Sequence, residues 1–538
     1  MQHSTLRPRA ILDIQHSSSP PSKDVRVSLA VALVLALSVF CLLTGAQFSM
    51  LTGDGWIGHT DLGGSYGGSL VFQADAWRLP PGANPLFGHT SIVYSDSLPL
   101  AALIAKLIAG VTGKPIMYIG AWFALNIFAT ALVALYLGRQ LALTRIAQVA
   151  LAVLLTANVI SLARMIGAQH LALSSTWLLL LAFLLVLKRA SSLAWCVLLL
   201  LAAGVHAYLL AMCLVIYGCQ VIGRRVGGWQ AMVVLSILAG WMFLLGYAYP
   251  TLSSLADNEF KPFGADLAFF FNSFNWGIIP EIFKPAREPQ FDALLFVGSG
   301  SCLLIGACAM ALFARKISWL AAKPLAPLLL PVILMLVVAT GLSVQIFGHT
   351  LLDLPLASPW DKLFRTFRAI GRFGWAASYL LIIASVCLIA SWRSPWAVGL
   401  LCVASAMQLA DVANAHHYTL IQPYSRLAQQ PSLSDLDTYV KQHAGQWNRQ
   451  VYKLANGQEL ESLQLDDGLL ATYGARFLIT HSARQSAAEV QQANEATLAA
   501  LAHKQPGLYI ISPTLRDRVS VSLQGALQSQ GFLFYFVP

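Results

Sequence analysis

Asp54, Asp61, Asp75 and Asp96 fall close together in a chain whose surroundings are overwhelmingly apolar. A carboxylate at a low-dielectric boundary has its proton affinity raised by desolvation, which suits a general base working near neutrality. Asp61 and Asp96 are the candidates for that role. Asp75 stands beside Trp77 and just ahead of Pro80-Pro81-Gly82, so it reads as part of a structural turn. The competing reading of the stretch "HTDLGGSYGGSLVFQADAWRLPPG" (59–82) is a mobile, glycine-rich connector whose aspartates merely form turns. Further along, "KLFRTFRAIGRFGW" (362–375) spaces Arg365, Arg368 and Arg372 by three and four residues. On one helix they share a face. Three guanidiniums there, next to Phe364, Phe367 and Phe373, suit a lipid-linked phosphate: charge-assisted forks to the oxygens, rings against the isoprenoid. The alternative is a basic helix lying on anionic lipid. Arg164, His170 and His206 are ionisable groups at membrane depth, which makes them functional candidates. A lone histidine is also a common packing contact, and neither His170 nor His206 has metal-ligand spacing. His416 and His417 are adjacent, so their side chains diverge. There is no P-loop, GxSxG or HExxH.

The elements that must position these residues are membrane helices. The chain has 538 residues, 57% hydrophobic and only 11% charged, with a mean hydropathy of +0.65. A soluble chain carries about a quarter charged residues. Apolar segments fall near 27–47, 116–138, 145–163, 171–187, 193–205, 206–222, 229–247, 291–313, 325–345, 376–391 and 395–412. This predicts an all-α polytopic membrane protein with about 11 transmembrane segments. The pair around His206 reads either as one long helix or as two short ones broken at Gly204-Val205-His206. All eight cysteines lie inside apolar segments without CxxC spacing, so neither a disulfide framework nor a zinc site is expected.

Lys and Arg set the orientation. With the N-terminal tail 1–26 in the cytoplasm, the inner side receives 14 of the 34 basic residues and only Asp13 and Asp24 of the 24 acidic ones. The net charge of +10 is therefore a topology signal and not a nucleic-acid patch. Treating 193–205 and 206–222 as two crossings keeps Arg224 and Arg225 inside. The transmembrane region then spans 27–412 with a first outer loop at 48–115. In that loop Pro99 opens a short interfacial helix, capped by Ser97 or Ser95 and carrying Lys106. The tail 413–538 is polar. "QSAAEVQQANEATLAALAHK" reads as a helix, "ARFLIT", "GLYIIS" and "FLFYFVP" as buried strands, and Asp466-Asp467-Gly468 as a turn, predicting a small extracytoplasmic α/β domain.

The order "TDLGGSYGG…W..PPG.NPLFG…SIVYSDSLPL", then "H..LSSTWLLLLA", "HAYLL" and "FR..GRF", resembles a family of uncharacterised bacterial multi-pass proteins grouped with the GT-C type glycosyltransferases. The resemblance covers roughly 27–412 and implies a GT-C-like fold in a bacterial inner membrane. It implies use of a polyprenyl-phosphate-linked sugar as donor, membrane lipids as surroundings, and an extracytoplasmic acceptor. It places the catalytic carboxylate in the first outer loop, where Asp61 matches and Asp96 is the reserve. It gives Arg365, Arg368 and Arg372 the donor phosphate. Where the family carries an aromatic–arginine pair, this chain has Phe72-Gln73, which puts Gln73 among the cavity-lining candidates with Arg164, His170 and His206. No metal ligand is assigned, although some GT-C enzymes use a divalent metal (Mg or Mn). Two other classes stay open: a transporter or flippase of lipid-linked glycans, against which the lack of inverted repeats counts, and a non-catalytic envelope assembly subunit, for which Gln73 argues.

Overall fold

The computed structural model describes residues 21–58, 60–86, 90–223, 225–248, 260–355, 360–414, 432–443, 445, 447–480, 487–520 and 522–538. His416 and His417 lie outside the described residues. Among the described residues, seven helices are long and apolar enough to cross a membrane: Val25–Thr44, Ile119–Gln140, Arg145–Gly167, Gly228–Leu245, Trp319–Ala339, Ile370–Ala390 and Pro395–Asn414. The chain is a multi-pass membrane protein. Shorter apolar helices cover Pro99–Thr112, Trp177–Lys188, Ser192–Ala203, Ala207–Ile222 and Ser299–Phe313. Each apolar segment expected from the sequence thus coincides with a helix, although four of these helices are short. The chain does break between Ala203 and Ala207, giving two helices around His206. The eight cysteines are free thiols.

The expected glycine-rich loop is a helix, Asp61–Ala74. Glycine costs about 1 kcal/mol relative to alanine inside a helix, so local propensity argues against this element. A tertiary contact overrides it. A Cβ on Gly67 would lie 1.9 Å from the backbone oxygen of Gln464, and one on Gly468 would lie 2.7 Å from Gly67 Cα. Helix Gln464–Thr472 therefore crosses the glycine helix backbone to backbone, and Val71 packs on Ala471. The predicted Asp466-Asp467-Gly468 turn is the middle of that crossing helix. The interfacial helix Pro99–Thr112 does begin at Pro99, but its N-cap is Leu98 in the left-handed region, with no side-chain cap. Ser97 instead donates to the Ser65 carbonyl at 2.5 Å. Lys106 folds onto the glycine helix, its ammonium 4.1 Å from the Phe72 ring centroid and 3.3 Å from the Ala76 carbonyl.

Two small two-stranded sheets pair β1 (Ala83–Asn84) with β2 (Thr90–Ser91) and β3 (Ser343–Ile346) with β4 (His349–Asp353), and the C-terminal region forms a five-stranded mixed sheet from β5 (Gln450–Leu454), β6 (Arg476–Phe477), β7 (Gly507–Ile511), β8 (Leu527–Ser529) and β9 (Phe532–Val537). The order is β6-β5-β7-β9-β8, with β5 parallel to β6 and β7, and β9 antiparallel to β7 and β8. All five residues of β7 are buried, as expected of a strand covered on both faces. The predicted tail helix is present as Ala487–Ala502. Leu465 of the crossing helix packs in the same apolar cluster as the membrane helices.

Candidate active site

Asp96 sits in a tight turn. Its own φ is 51° and that of Leu98 is 56°. Left-handed backbone at a residue with a Cβ is costly and is held only where surrounding bonds impose it. Here Ser95 and Ser97 share a hydroxyl contact of 2.8 Å, and Tyr118 donates to the Ser97 carbonyl. The turn presents the Asp96 carboxylate to two imidazoles. His206 Nε2 is 3.2 Å from one oxygen and His170 Nε2 is 3.2 Å from the other. The rings of the two histidines meet edge to face at 5.4 Å.

The histidines arrive from different breaks in helical structure. His206 is the N-cap of Ala207–Ile222, and its Nδ1 accepts the Tyr208 N–H at 3.1 Å. His170 follows a π-helical turn, Ala163–Gly167, a feature often found at functional sites. That turn carries Arg164, whose carbonyl accepts the His170 N–H at 2.7 Å. Thr60, which precedes the glycine helix, donates to Gln169 at 2.5 Å and so sets Asp61 beside His170.

A second group adjoins the first. Arg164 donates to the Asp292 carboxylate at 2.6 Å and to its carbonyl at 2.7 Å, while Arg372 reaches the same carboxylate at 3.1 Å. The Arg372 guanidinium lies 4.9 Å from the Tyr208 ring, which stacks on His206 at 5.5 Å. Phe367 and Phe373 pack against Tyr208. A continuous run of contacts therefore leads from Asp96 through His206, Tyr208, Arg372 and Asp292 to Arg164. The Arg372 Nε is buried with no hydrogen-bond partner among the described residues.

The three carboxylates differ in electrostatic state. Desolvation raises the Asp61 pKa above the ordinary carboxylate value; the nearby His170 opposes this, and the negative charges of Glu461, Asp96 and Asp292 add to it. Asp61 is exposed, yet the protein around it displaces enough water to matter. Desolvation pushes Asp96 the same way, but His170 and His206 outweigh it and hold Asp96 well below the usual range. Asp292 is likewise desolvated and likewise held low, by Arg372 and Arg164.

Asp96, His170 and His206 each offer a donor atom within 4.8 Å of the others, a grouping compatible by distance with a metal ion. The hydrogen bonding does not fit one. Because His206 Nδ1 accepts from Tyr208, the proton of the neutral ring is on Nε2, the nitrogen facing Asp96. A metal ligand needs a lone pair there. Asp96 and His170 alone fall short of the three protein ligands of a catalytic zinc, and one carboxylate oxygen makes a poor site for Mg or Mn.

Of the residues singled out in the sequence, Asp61, Asp96, Arg164, His170, His206 and Arg372 come together. The others do not. The predicted helix bearing three arginines on one face is interrupted: Trp360–Thr366 ends, the chain bends, and a 3-10 turn follows at Ile370–Gly374. Arg365 pairs with Asp361 at 2.6 Å, and Arg368 lies exposed over Phe263. Gln73 is taken up by the packing of the outer loop. It is buried, accepting the Ile116 N–H at 2.7 Å and donating to the Ile116 carbonyl and to Ser69. Asp75 caps the end of the glycine helix and pairs with Arg78, as a structural residue would. Asp292 and Tyr208 were not anticipated. Asp292 is an isolated acid at the start of an apolar run, and Tyr208 lies within "HAYLL", so the only available signal was proximity to other candidates.

A family model described as "Domain of unknown function (DUF6311)" matches residues 33–413. The chain belongs to this family. All the converging residues lie within the family's matched span, whereas Glu461 and the crossing helix come from beyond it. No curated protein matches the chain. Among solved structures it is similar to ArnT from Cupriavidus metallidurans bound to undecaprenyl phosphate, at 13% identity and a TM-score of 0.44, over 96% of this chain and 98% of that one. The apo state of the same ArnT gives 13% identity and a TM-score of 0.43 over the same shares.

Proposed function

We propose that this chain is an integral-membrane glycosyltransferase that moves a sugar from a polyprenyl-phosphate donor to an acceptor hydroxyl on the outer face of a bacterial inner membrane. The observation that carries this reading is an open carboxylate of raised proton affinity, Asp61, whose charge reaches Arg164, with Arg164 sharing the Asp292 carboxylate with Arg372 and Arg372 lying over the Tyr208 ring. Asp61 takes the proton of the acceptor hydroxyl as its oxygen attacks the anomeric carbon. The bond from that carbon to the phosphate oxygen breaks, and the sugar inverts. Arg372, with Arg368 at the bend beside it, receives the charge that develops on the leaving phosphate. Tyr208, Phe367 and Phe373 suit the first isoprene units. Asp96 is spent on two imidazoles, so it acts as a positioning residue that fixes His170 and His206.

The same reading places the N-terminus inside and the tail outside, with eleven crossings. Reporter fusions after Ser394 and after Pro538 give cytoplasmic and external signals respectively; the reverse at either point sinks that topology. For the activity, deletion of the gene followed by mass analysis of surface glycans and lipids shows loss of a sugar. Accumulation of an intact lipid-linked glycan on the inner face instead replaces the transferase with a carrier.

A further inference from the structure

Helix Trp177–Lys188 begins just after the His170 segment, and Ala207–Ile222 begins at His206. At 1.5 Å per residue they run for about 18 and 24 Å, so their far ends are remote from the candidate active site. Between those ends lies a cavity of about 310 Å³ lined by Leu185, Arg189, Trp195, Gln220, Arg225 and Val226 among others. This is the size of a small ligand site.

Gln220, only 5% exposed, contributes its side-chain amide to the lining of the cavity. Arg189 and Arg225 pair with no carboxylate among the described residues, and Arg189 is turned by a left-handed backbone, φ 49°. Trp195 and Val226 are buried apolar walls. Two uncompensated guanidinium forks and an amide above an apolar floor suit a phosphate joined to something greasy. The charge distribution assigns this end to the inner leaflet, where basic pockets between helices bind anionic headgroups.

We propose that this cavity is a second, non-catalytic site that binds a phosphate group, held between Arg189 and Arg225 and bonded by the Gln220 amide. It is independent of the transferase reading. The source of the phosphate is separable by experiment. Full-length protein, stripped of lipid in detergent, is titrated with phosphatidylglycerol, with phosphatidylcholine and with inorganic phosphate, and binding is followed by native mass spectrometry and thermal shift. Stabilisation by phosphatidylglycerol alone assigns a lipid headgroup, and stabilisation by inorganic phosphate as well assigns the phosphate itself. Stabilisation by neither, or equally by phosphatidylcholine, overturns the site. Gln220→Leu keeps the volume and removes the amide, and Arg189→Lys with Arg225→Lys keeps the charge and removes the fork. Each is expected to weaken binding by about fivefold or more. Full binding in both variants, whose melting without ligand reports whether they fold, leaves only generic attraction of a basic surface and ends the proposal.

Discussion

Lys453 of β5 and Asp467 of the crossing helix are both fully enclosed and 2.5 Å apart, whereas Asp96 in the cleft is 40% exposed while two imidazoles lean on it. Both arrangements take charge out of water, with opposite results. Around Lys453 and Asp467 desolvation wins: burial pushes the Asp467 carboxyl up to about 6 and the Lys453 ammonium down, each toward neutrality. In the cleft the partners win at Asp96 and Asp292, while Asp61 is left open with its proton affinity raised. A closed pair fixes a fold. A cluster that holds some carboxylates ionised and leaves another available for protons can do chemistry.

The contrast is sharpest where one partner is removed. Asp467→Asn strands the buried Lys453 and is expected to cost about 3–5 kcal/mol, seen as a large drop in the melting temperature of the full-length protein in detergent. The double change Lys453→Met with Asp467→Leu should recover most of it, because a packed apolar pair replaces the ions. Failure of that recovery makes the pair more than structural. Asp61→Asn should leave melting nearly unchanged and cut turnover by about a hundredfold or more, with donor affinity kept. If Asp61→Asn retains activity and Asp96→Asn abolishes it, the base is Asp96.

The pH profile tests the same distinction. A base works ionised, so activity falls as pH drops through its pKa. With Asp61 raised, the acid limb should lie above the ordinary carboxylate value of about 4. A limb at or below that value points to a carboxylate held low, such as Asp96. Among the arginines, Arg372→Ala should weaken binding of a polyprenyl-phosphate ligand by about 1–3 kcal/mol, and Arg372→Lys should not restore it. Arg365→Ala should change binding by less than about 0.5 kcal/mol, since that side chain is already engaged by Asp361. Equal losses at the two positions would return the three arginines to a shared face.

The membrane helices were legible because twenty-residue apolar runs have few other readings, and the strands "GLYIIS" and "FLFYFVP" because β-branched and aromatic residues cluster there. The break at His206 could be inferred from where Arg224 and Arg225 had to lie. The candidate residues were recognisable one at a time by charge in an apolar setting. Their assembly was not, since Asp96, His170 and His206 meet only through tertiary packing. The arginine face failed because periodicity carries no notice that the helix stops at Thr366. The glycine helix failed because its stability comes from Gln464, some four hundred residues on.

The glycine crossing mounts Asp61 at the tip of an element whose flank is clasped by the C-terminal region. Gly67 and Gly468 are in direct backbone contact, with no side chain between them to absorb a shift. Glu461, just ahead of the crossing helix, already contributes to the field at Asp61. The crossing helix thus bears directly on the element that carries Asp61, and a displacement of the one is passed on through backbone contact and not absorbed by side chains.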